Sequence, residues 1–150
     1  NGTGVQRDAI TWRLLEAVPD LPEKRYNSHI IISKQGQVLT TYRKAHLYDV
    51  DLAKYVRGGV TIKESDYIQR GEGYLGFIVE KTEGYGLPLS LAPTICYDLR
   101  FPEIYCILRE LSADIVLVPS AFMVKTGAAH WEILLRARAI ESQCYVIAAA

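Results

Sequence analysis

The feature that most constrains the fold is an apolar run at residues 89–95, which ends at Cys96 and is followed by Pro102 and Glu103. A short continuous apolar run is typical of a buried strand, and proline is favoured at the first position of a helix. The sequence therefore predicts that Cys96 lies on a turn between a buried strand and a helix. Although a lone cysteine is more often a small buried residue, such a turn exposes the sulfur. We interpret Cys96 as a nucleophile.

Helix and strand patterns alternate after this turn. Helical spacing and apolar runs predict a helix, a strand, a helix and a strand at residues 102–112, 114–118, 129–143 and 144–150. With the strand at residues 89–96, this β-α-β-α-β order indicates an α/β fold. We expect a loop at residues 121–127, and we expect Cys106 and Cys144 to lie in helix and strand cores.

The part of the chain before residue 89 is predicted from local patterns alone. In chain order these predict a helix at residues 7–18 with Asp8 as its cap, a strand at 26–33, a turn at 34–36, a strand at 37–43, a long loop at 49–62, a strand at 76–81 and a turn at 83–86. The strands on either side of the 34–36 turn are predicted to form a hairpin, and Lys44 follows that hairpin directly.

Net charge and cysteine content limit which binding partners and which cellular compartments we expect. Seventeen basic and seventeen acidic residues give no net charge, which argues against nucleic-acid and membrane partners and favours a small molecule. Three cysteines without paired spacing favour a reducing compartment, so we expect the cytoplasm or an organelle matrix such as that of the mitochondrion. The chain begins at Asn1 and stops inside an apolar run, so we expect both ends to be incomplete.

Three stretches resemble motifs of the nitrilase, or carbon-nitrogen hydrolase, superfamily. The sequence CYDLRFPE at residues 96–103 resembles the nucleophile motif, YRKAHL at residues 42–47 resembles the lysine motif, and GAAHWE at residues 127–132 resembles the start of the helix after the next strand. Within the superfamily, LLRARAIESQCYV at residues 134–146 is most similar to the deaminated-glutathione amidases. The resemblance covers roughly residues 26–150 of what we take to be a single partial domain, 1–150.

This resemblance implies an α-β-β-α sandwich of the nitrilase type, incomplete at both ends. It also implies an amidase that hydrolyses a small linear amide, such as deaminated glutathione, through a cysteine thioester and without cofactor or metal. In that role Cys96 is the nucleophile, Lys44 and the backbone N–H of Tyr97 hold the oxyanion, and Glu64 supports Lys44. A homodimer is the assembly that the superfamily implies.

The resemblance also implies that the loop at residues 121–127 and the start of the helix that follows it help to line the substrate pocket. Phe122, His130 and Trp131 are therefore candidate substrate-binding residues. The general interpretation of this helix is structural, with Glu132 and Arg136 as an exposed ion pair. Arg138 and Glu141 are likewise expected to pair with each other rather than with a ligand.

Several alternatives stay open or are set aside. Superfamily members use a glutamate upstream of the lysine as general base, and we expect it to lie outside this sequence, because Glu23 is too close to Lys44. We therefore expect this segment alone to be inactive. The same chemistry also fits an ω-amidase or a carbamoyl amidohydrolase, and a catalytically dead scaffold is the non-enzyme alternative. A Cys-His protease lacks its local signature here, and the cysteine spacing does not fit zinc.

Overall fold

The computed structural model describes residues 9–72, 80–84 and 87–150. The strands are β1 (Ala9–Ala17), β2 (Arg25–Ser33), β3 (Val38–Arg43), β4 (Asp49–Asp51), β5 (Thr61–Lys63), β6 (Ile68–Gln69), β7 (Glu80–Gly84), β8 (Leu87–Pro93), β9 (Ile115–Pro119) and β10 (Tyr145–Ala149). The helices are α1 (Pro102–Glu110) and α2 (Val124–Ser142), with two short 3-10 helices at Glu64–Asp66 and Cys96–Arg100. In the described ranges no helix has the length and apolarity needed to cross a membrane.

The first sheet has the order β1-β2-β3, with β6 also paired to β2. The antiparallel pairing of β2 and β3 confirms the predicted hairpin. The prediction of a helix at residues 7–18 is wrong, because all nine residues of β1 pair antiparallel with β2, from Ala9 opposite Ser33 to Ala17 opposite Arg25. Apolar residues at helical spacing suggested the helix, and the ladder offered by β2 overrides that local preference.

The second sheet has the order β10-β9-β8-β7. Strands β8, β9 and β10 are parallel and are connected through α1 and α2, which confirms the predicted β-α-β-α-β order. Helix α2 begins at Val124, so the predicted loop at 121–127 is wrong beyond Met123. Gly127 suggested a loop, yet it lies in the second turn of a 19-residue helix, where a single glycine costs only about 1 kcal/mol relative to alanine.

Two predictions before residue 89 change in detail. The prediction of a loop at residues 49–62 is wrong at both ends, because β4 and the first residues of β5 pair antiparallel across the connecting residues 52–60. The predicted strand at 76–81 and turn at 83–86 lie partly outside the described residues. Strand β7 extends from Glu80 to Gly84, so the predicted turn is wrong at Glu83 and Gly84, which pair antiparallel with Pro88 and Leu87 of β8.

The two sheets contact each other through β2 and β8, and α2 contacts α1, β10 and the 3-10 helix at Cys96–Arg100. Helix α1 buries Ile104, Tyr105 and Leu108, because the 3.6-residue period places these three on one face. The buried apolar cluster joins this face to both sheets and comprises Tyr42, Ala45, Ala92, Ile95, Leu99, Ile104, Tyr105, Leu108, Ala113, Val116 and Val118.

A buried histidine links the two sheets and makes stability depend on pH. His29 on β2 is 1% exposed, and its Nδ1–H donates to the carbonyl oxygen of Thr94 at 2.9 Å. Burial lowers the pKa of His29 below its ordinary value, because the charged ring would lose its hydration. At pH values between this lowered pKa and about 6.5 the unfolded chain binds more protons than the folded one, so the free energy of unfolding falls as the pH falls.

We therefore expect acidification from pH 7.5 to 5 to lower the free energy of unfolding of the protein more than it lowers that of a His29→Gln variant. Urea unfolding followed by circular dichroism at several pH values measures both free energies. The difference between protein and variant isolates His29 from the other titrating groups. A difference that does not change with pH would contradict the role assigned to His29.

Candidate active site

Cys96 lies at the junction that the sequence predicts. It is the first residue of the 3-10 helix that follows β8, and its side chain is half-buried. Its φ is +46°, in the left-handed region that residues other than glycine seldom occupy. Such a conformation costs on the order of 1–3 kcal/mol and persists where the surrounding structure enforces it. The backbone at Cys96 is therefore held in place by its neighbours.

Asp98 provides much of that restraint. Its carboxylate is fully buried and accepts hydrogen bonds from the Tyr42 hydroxyl at 2.7 Å and the Ile95 N–H at 2.9 Å. It also accepts two bonds from His46, from the backbone N–H at 3.0 Å and from Nδ1 at 2.8 Å. Asp98 thus joins the turn that carries Cys96 to the segment that carries Lys44.

Aromatic rings reinforce the same junction. The His46 ring stacks on Phe101 with centroids 3.7 Å apart and planes 9° from parallel. Tyr97 makes edge contacts with Phe101 at 5.4 Å and with Tyr48 at 5.0 Å. Because rings in these arrangements attract each other beyond their buried area, the residues on both sides of the turn are fixed relative to one another.

Lys44 and Glu64 form a buried ion pair. Lys44 Nζ lies 2.5 Å from Glu64 Oε2, and the two side chains are 3% and 10% exposed. Glu64 also accepts hydrogen bonds from the Tyr48 N–H at 2.7 Å and from Asn27 Nδ2 at 3.4 Å, and the Lys44 N–H donates to the Asn27 carbonyl at 2.8 Å. Burial of an ion is costly unless it is paired and hydrogen-bonded, so each residue depends on the other.

These residues meet in one cavity of about 190 Å³. Its lining includes Cys96, Lys44, Glu64, Tyr97 and Phe122, which are five of the seven residues that the sequence singles out. The remaining lining residues are Arg13, Tyr48, Ile62, Tyr67, Arg100, Ala121, Met123 and Thr126. Side chains from the first sheet, from β5 and the 3-10 helix after it, and from the segments after β8 and β9 therefore converge around the thiol.

The other two candidates for substrate binding are not among the lining residues. His130 is exposed, and its Nδ1 lies 3.2 Å from Arg100 Nη1. Trp131 is half-buried, and its ring lies 4.7 Å from that of Phe122. Each of them contacts a side chain that lines the cavity, so a direct contact with substrate stays a prediction for both residues.

The predictions for the other two cysteines and for the ion pairs of α2 are confirmed only in part. Cys106 is exposed, so its predicted place in the helix core is wrong, because α1 turns its opposite face inward. Cys144 is half-buried against the core, and burial raises the pKa of its thiol. The exposed Glu132–Arg136 pair at 2.7 Å and the Arg138–Glu141 pair at 2.8 Å are confirmed.

Three charged residues at the site, Arg13, Asp98 and Arg100, were not singled out by sequence reasoning. Asp98 carries a usable signal, since a carboxylate two residues after the nucleophile in an apolar context needs buried donors. Arg100 lies in the same motif. Arg13 belongs to β1, which was predicted as a helix, so nothing placed it near Cys96.

The chain is similar to known proteins over most of its length. The family model for carbon-nitrogen hydrolase matches residues 9–150, beginning upstream of the motif resemblance. The chain is 49% identical over 125 residues to the deaminated glutathione amidase of Dictyostelium discoideum and 47% identical over 128 residues to that of Mus musculus. These alignments cover 83% and 85% of the chain but 40% and 36% of the relatives. The chain thus spans well under half the length of either relative.

Similarity to solved structures places the fold among nitrilase-superfamily α/β sandwiches. The crystal structure of the C. elegans NitFhit protein matches with a TM-score of 0.77 and 39% identity, over 94% of this chain and 32% of that one. A mutant amidase from Nesterenkonia sp. AN1, with acrylamide added to its active-site cysteine, matches with a TM-score of 0.71 and 29% identity, over 94% and 47%. Since the family model extends over nearly the whole sequence, the chain belongs to the carbon-nitrogen hydrolase family.

Proposed function

We propose that the protein is an amidase that hydrolyses the amide bond of deaminated glutathione through a thioester on Cys96. The observation that carries the proposal is the meeting of Cys96, Lys44 and Glu64 in one cavity. Relatives named deaminated glutathione amidase support the choice of substrate, and the covalently modified cysteine of the Nesterenkonia amidase supports the choice of nucleophile.

In the first step the thiolate of Cys96 attacks the amide carbonyl and forms a tetrahedral oxyanion. Lys44 has three N–H donors and gives one to Glu64, which leaves donors for the oxyanion. Tyr97 is the second residue of its 3-10 helix, where the first N–H groups have no partner within the helix. Two donors from different segments thus stabilise the charge that develops on the oxygen.

Collapse of the oxyanion expels the amine and leaves an acyl group on Cys96 as a thioester. The amine needs a proton, which we assign to the general-acid glutamate expected outside this sequence. Water then attacks the thioester carbonyl, the same glutamate accepts its proton, and the carboxylate product leaves with the thiolate restored. Glu64 takes no proton in this scheme, because its carboxylate holds Lys44 in place.

The test compares the hydrolysis of two substrates and looks for a covalent intermediate on Cys96. With the general-acid glutamate present, we expect the protein to hydrolyse deaminated glutathione with a kcat/KM at least tenfold above that for α-ketoglutaramate. Mass spectrometry of quenched reactions should find the acyl group on the Cys96 peptide. A preference for α-ketoglutaramate would favour an ω-amidase, and a preference for carbamoyl compounds would favour a carbamoyl amidohydrolase. A folded protein no more active than its Cys96→Ala variant would identify a dead scaffold.

We further propose that the protein acts as a homodimer in the cytoplasm or an organelle matrix. The three cysteines are free thiols, which fits a reducing compartment. Light scattering of the purified protein measures the mass in solution, and a monomer at micromolar concentration would contradict the dimer.

A further inference from the structure

Arg13 extends from β1 into the cavity of Cys96 although β1 carries none of the motifs that define the site. Its Nε donates a hydrogen bond of 2.9 Å to Oδ1 of Asn27 on β2. Asn27 is 2% exposed and reaches Glu64 through its own amide nitrogen. Arg13 is therefore anchored to the same buried network as Lys44, and its position follows from the strand pairing.

The charges that line the cavity do not cancel. Lys44 is neutralised by Glu64, which is the carboxylate among the described lining residues. Arg13 and Arg100 then remain as two further cations in the same wall. Within the described residues no ion pair joins either guanidinium to a carboxylate.

The contacts of the two arginines differ. The Arg100 guanidinium lies over the Phe122 ring at 5.4 Å and the Tyr97 ring at 5.9 Å and contacts His130, so aromatic side chains already hold it. Among the described residues, Arg13 makes one side-chain hydrogen bond, through Nε, and the terminal nitrogens of a guanidinium lie at the far end of the planar group. Those nitrogens have the geometry that binds a carboxylate by two parallel hydrogen bonds.

We infer that Arg13 binds a carboxylate of the substrate and so selects linear amides that carry a carboxylate away from the bond that is cleaved. The inference rests on the proposed amidase function for the reaction, and it adds the residue that recognises the substrate class. Deaminated glutathione has a carboxylate at each end, whereas a neutral amide of the same length has none. The cavity would therefore discriminate by charge as well as by shape.

Binding measurements test this without turnover. In the Cys96→Ala background, isothermal titration compares glutaramate, a linear amide with one carboxylate, with the neutral diamide glutaramide. We expect glutaramate to bind at least tenfold more tightly, since a hydrogen bond to a charged group contributes enough for about a 10- to 100-fold preference. Arg13→Gln should remove most of that preference and leave glutaramide affinity within about twofold.

Two further variants test whether the effect is specific to Arg13 and to the shape of its guanidinium. Arg136→Gln removes a cation from the exposed face of α2 and should leave both affinities unchanged. Arg13→Lys keeps the charge and loses the planar fork, so it should restore only part of the preference. Equal binding of the two ligands, no glutaramate binding, or equal losses for both ligands in Arg13→Gln would overturn the inference. A selective loss in a protein without amidase activity would uphold it and reject the proposed function.

Discussion

Replacement of Cys96 by serine is expected to lower kcat by about 10³- to 10⁶-fold while the free energy of unfolding stays nearly unchanged. A hydroxyl does not supply an accessible anion at neutral pH, whereas a thiol does. Serine is close to cysteine in size, and Cys96 is only half-buried, so packing changes little. Steady-state rates and urea unfolding of the two proteins measure the two effects. A serine variant with near-normal turnover would remove Cys96 from the role of nucleophile.

Cys106 supplies the matched control for this experiment. It is exposed on α1 and does not line the cavity, so Cys106→Ser should leave kcat unchanged. Its exposure also means that iodoacetamide will label it, and labelling alone does not identify the nucleophile. The informative measurement is protection, in which substrate should slow alkylation of Cys96 and leave that of Cys106 unchanged on a peptide map.

Replacement of Lys44 by methionine is expected to lower kcat/KM by about 10²- to 10³-fold through loss of an oxyanion donor. It should also destabilise the fold by about 3–5 kcal/mol, because Glu64 would remain buried without its cation. Lys44→Arg should not restore the rate, since a planar guanidinium does not place its donors where a compact ammonium does. Full activity in Lys44→Arg would show that charge alone is required.

A double variant separates the two effects of this change. In Lys44→Met with Glu64→Gln no uncompensated charge is buried, so the free energy of unfolding should recover by at least half. The rate should not recover, because the donor is still missing. Glu64→Gln alone should slow the reaction less than either Lys44 change. Recovery of the rate in the double variant would mean that Lys44 acts only by maintaining the fold.

The sequence predicts the parallel strands of the second sheet and the β2–β3 hairpin well, but it predicts β1 wrongly, and the reason is physical. From residue 89 onward each element has its own periodicity, and Pro102 marks the start of α1, so local information suffices. Strand β1 has apolar residues at helical spacing, and only its pairing with β2 makes it a strand. Cys106 shows the same limit, because an apolar residue in a helix can lie on either face.

The site residues likewise fall into those that local motifs predict and those that depend on distant parts of the chain. Cys96, Lys44 and Glu64 could be proposed because the short motifs around them resemble those of the superfamily, and Cys96 also lies at a predicted strand-to-helix turn. Arg13 could not, because its proximity to Cys96 depends on the register between β1 and β2. The burial of Asp98 depends on donors from residues 42 and 46, which no local pattern predicts.

The carboxylate of Asp98 also bears on the order of events during folding. Its bonds to Tyr42 and His46 join positions that are 56 and 52 residues apart in the chain. Closing a loop of that length costs conformational entropy before any contact compensates for it, and long-range contacts of this kind slow folding. The junction that orients the nucleophile should therefore form with the last cooperative docking of the two sheets. Neither motif on its own, folded as a short peptide, would possess a catalytic pocket.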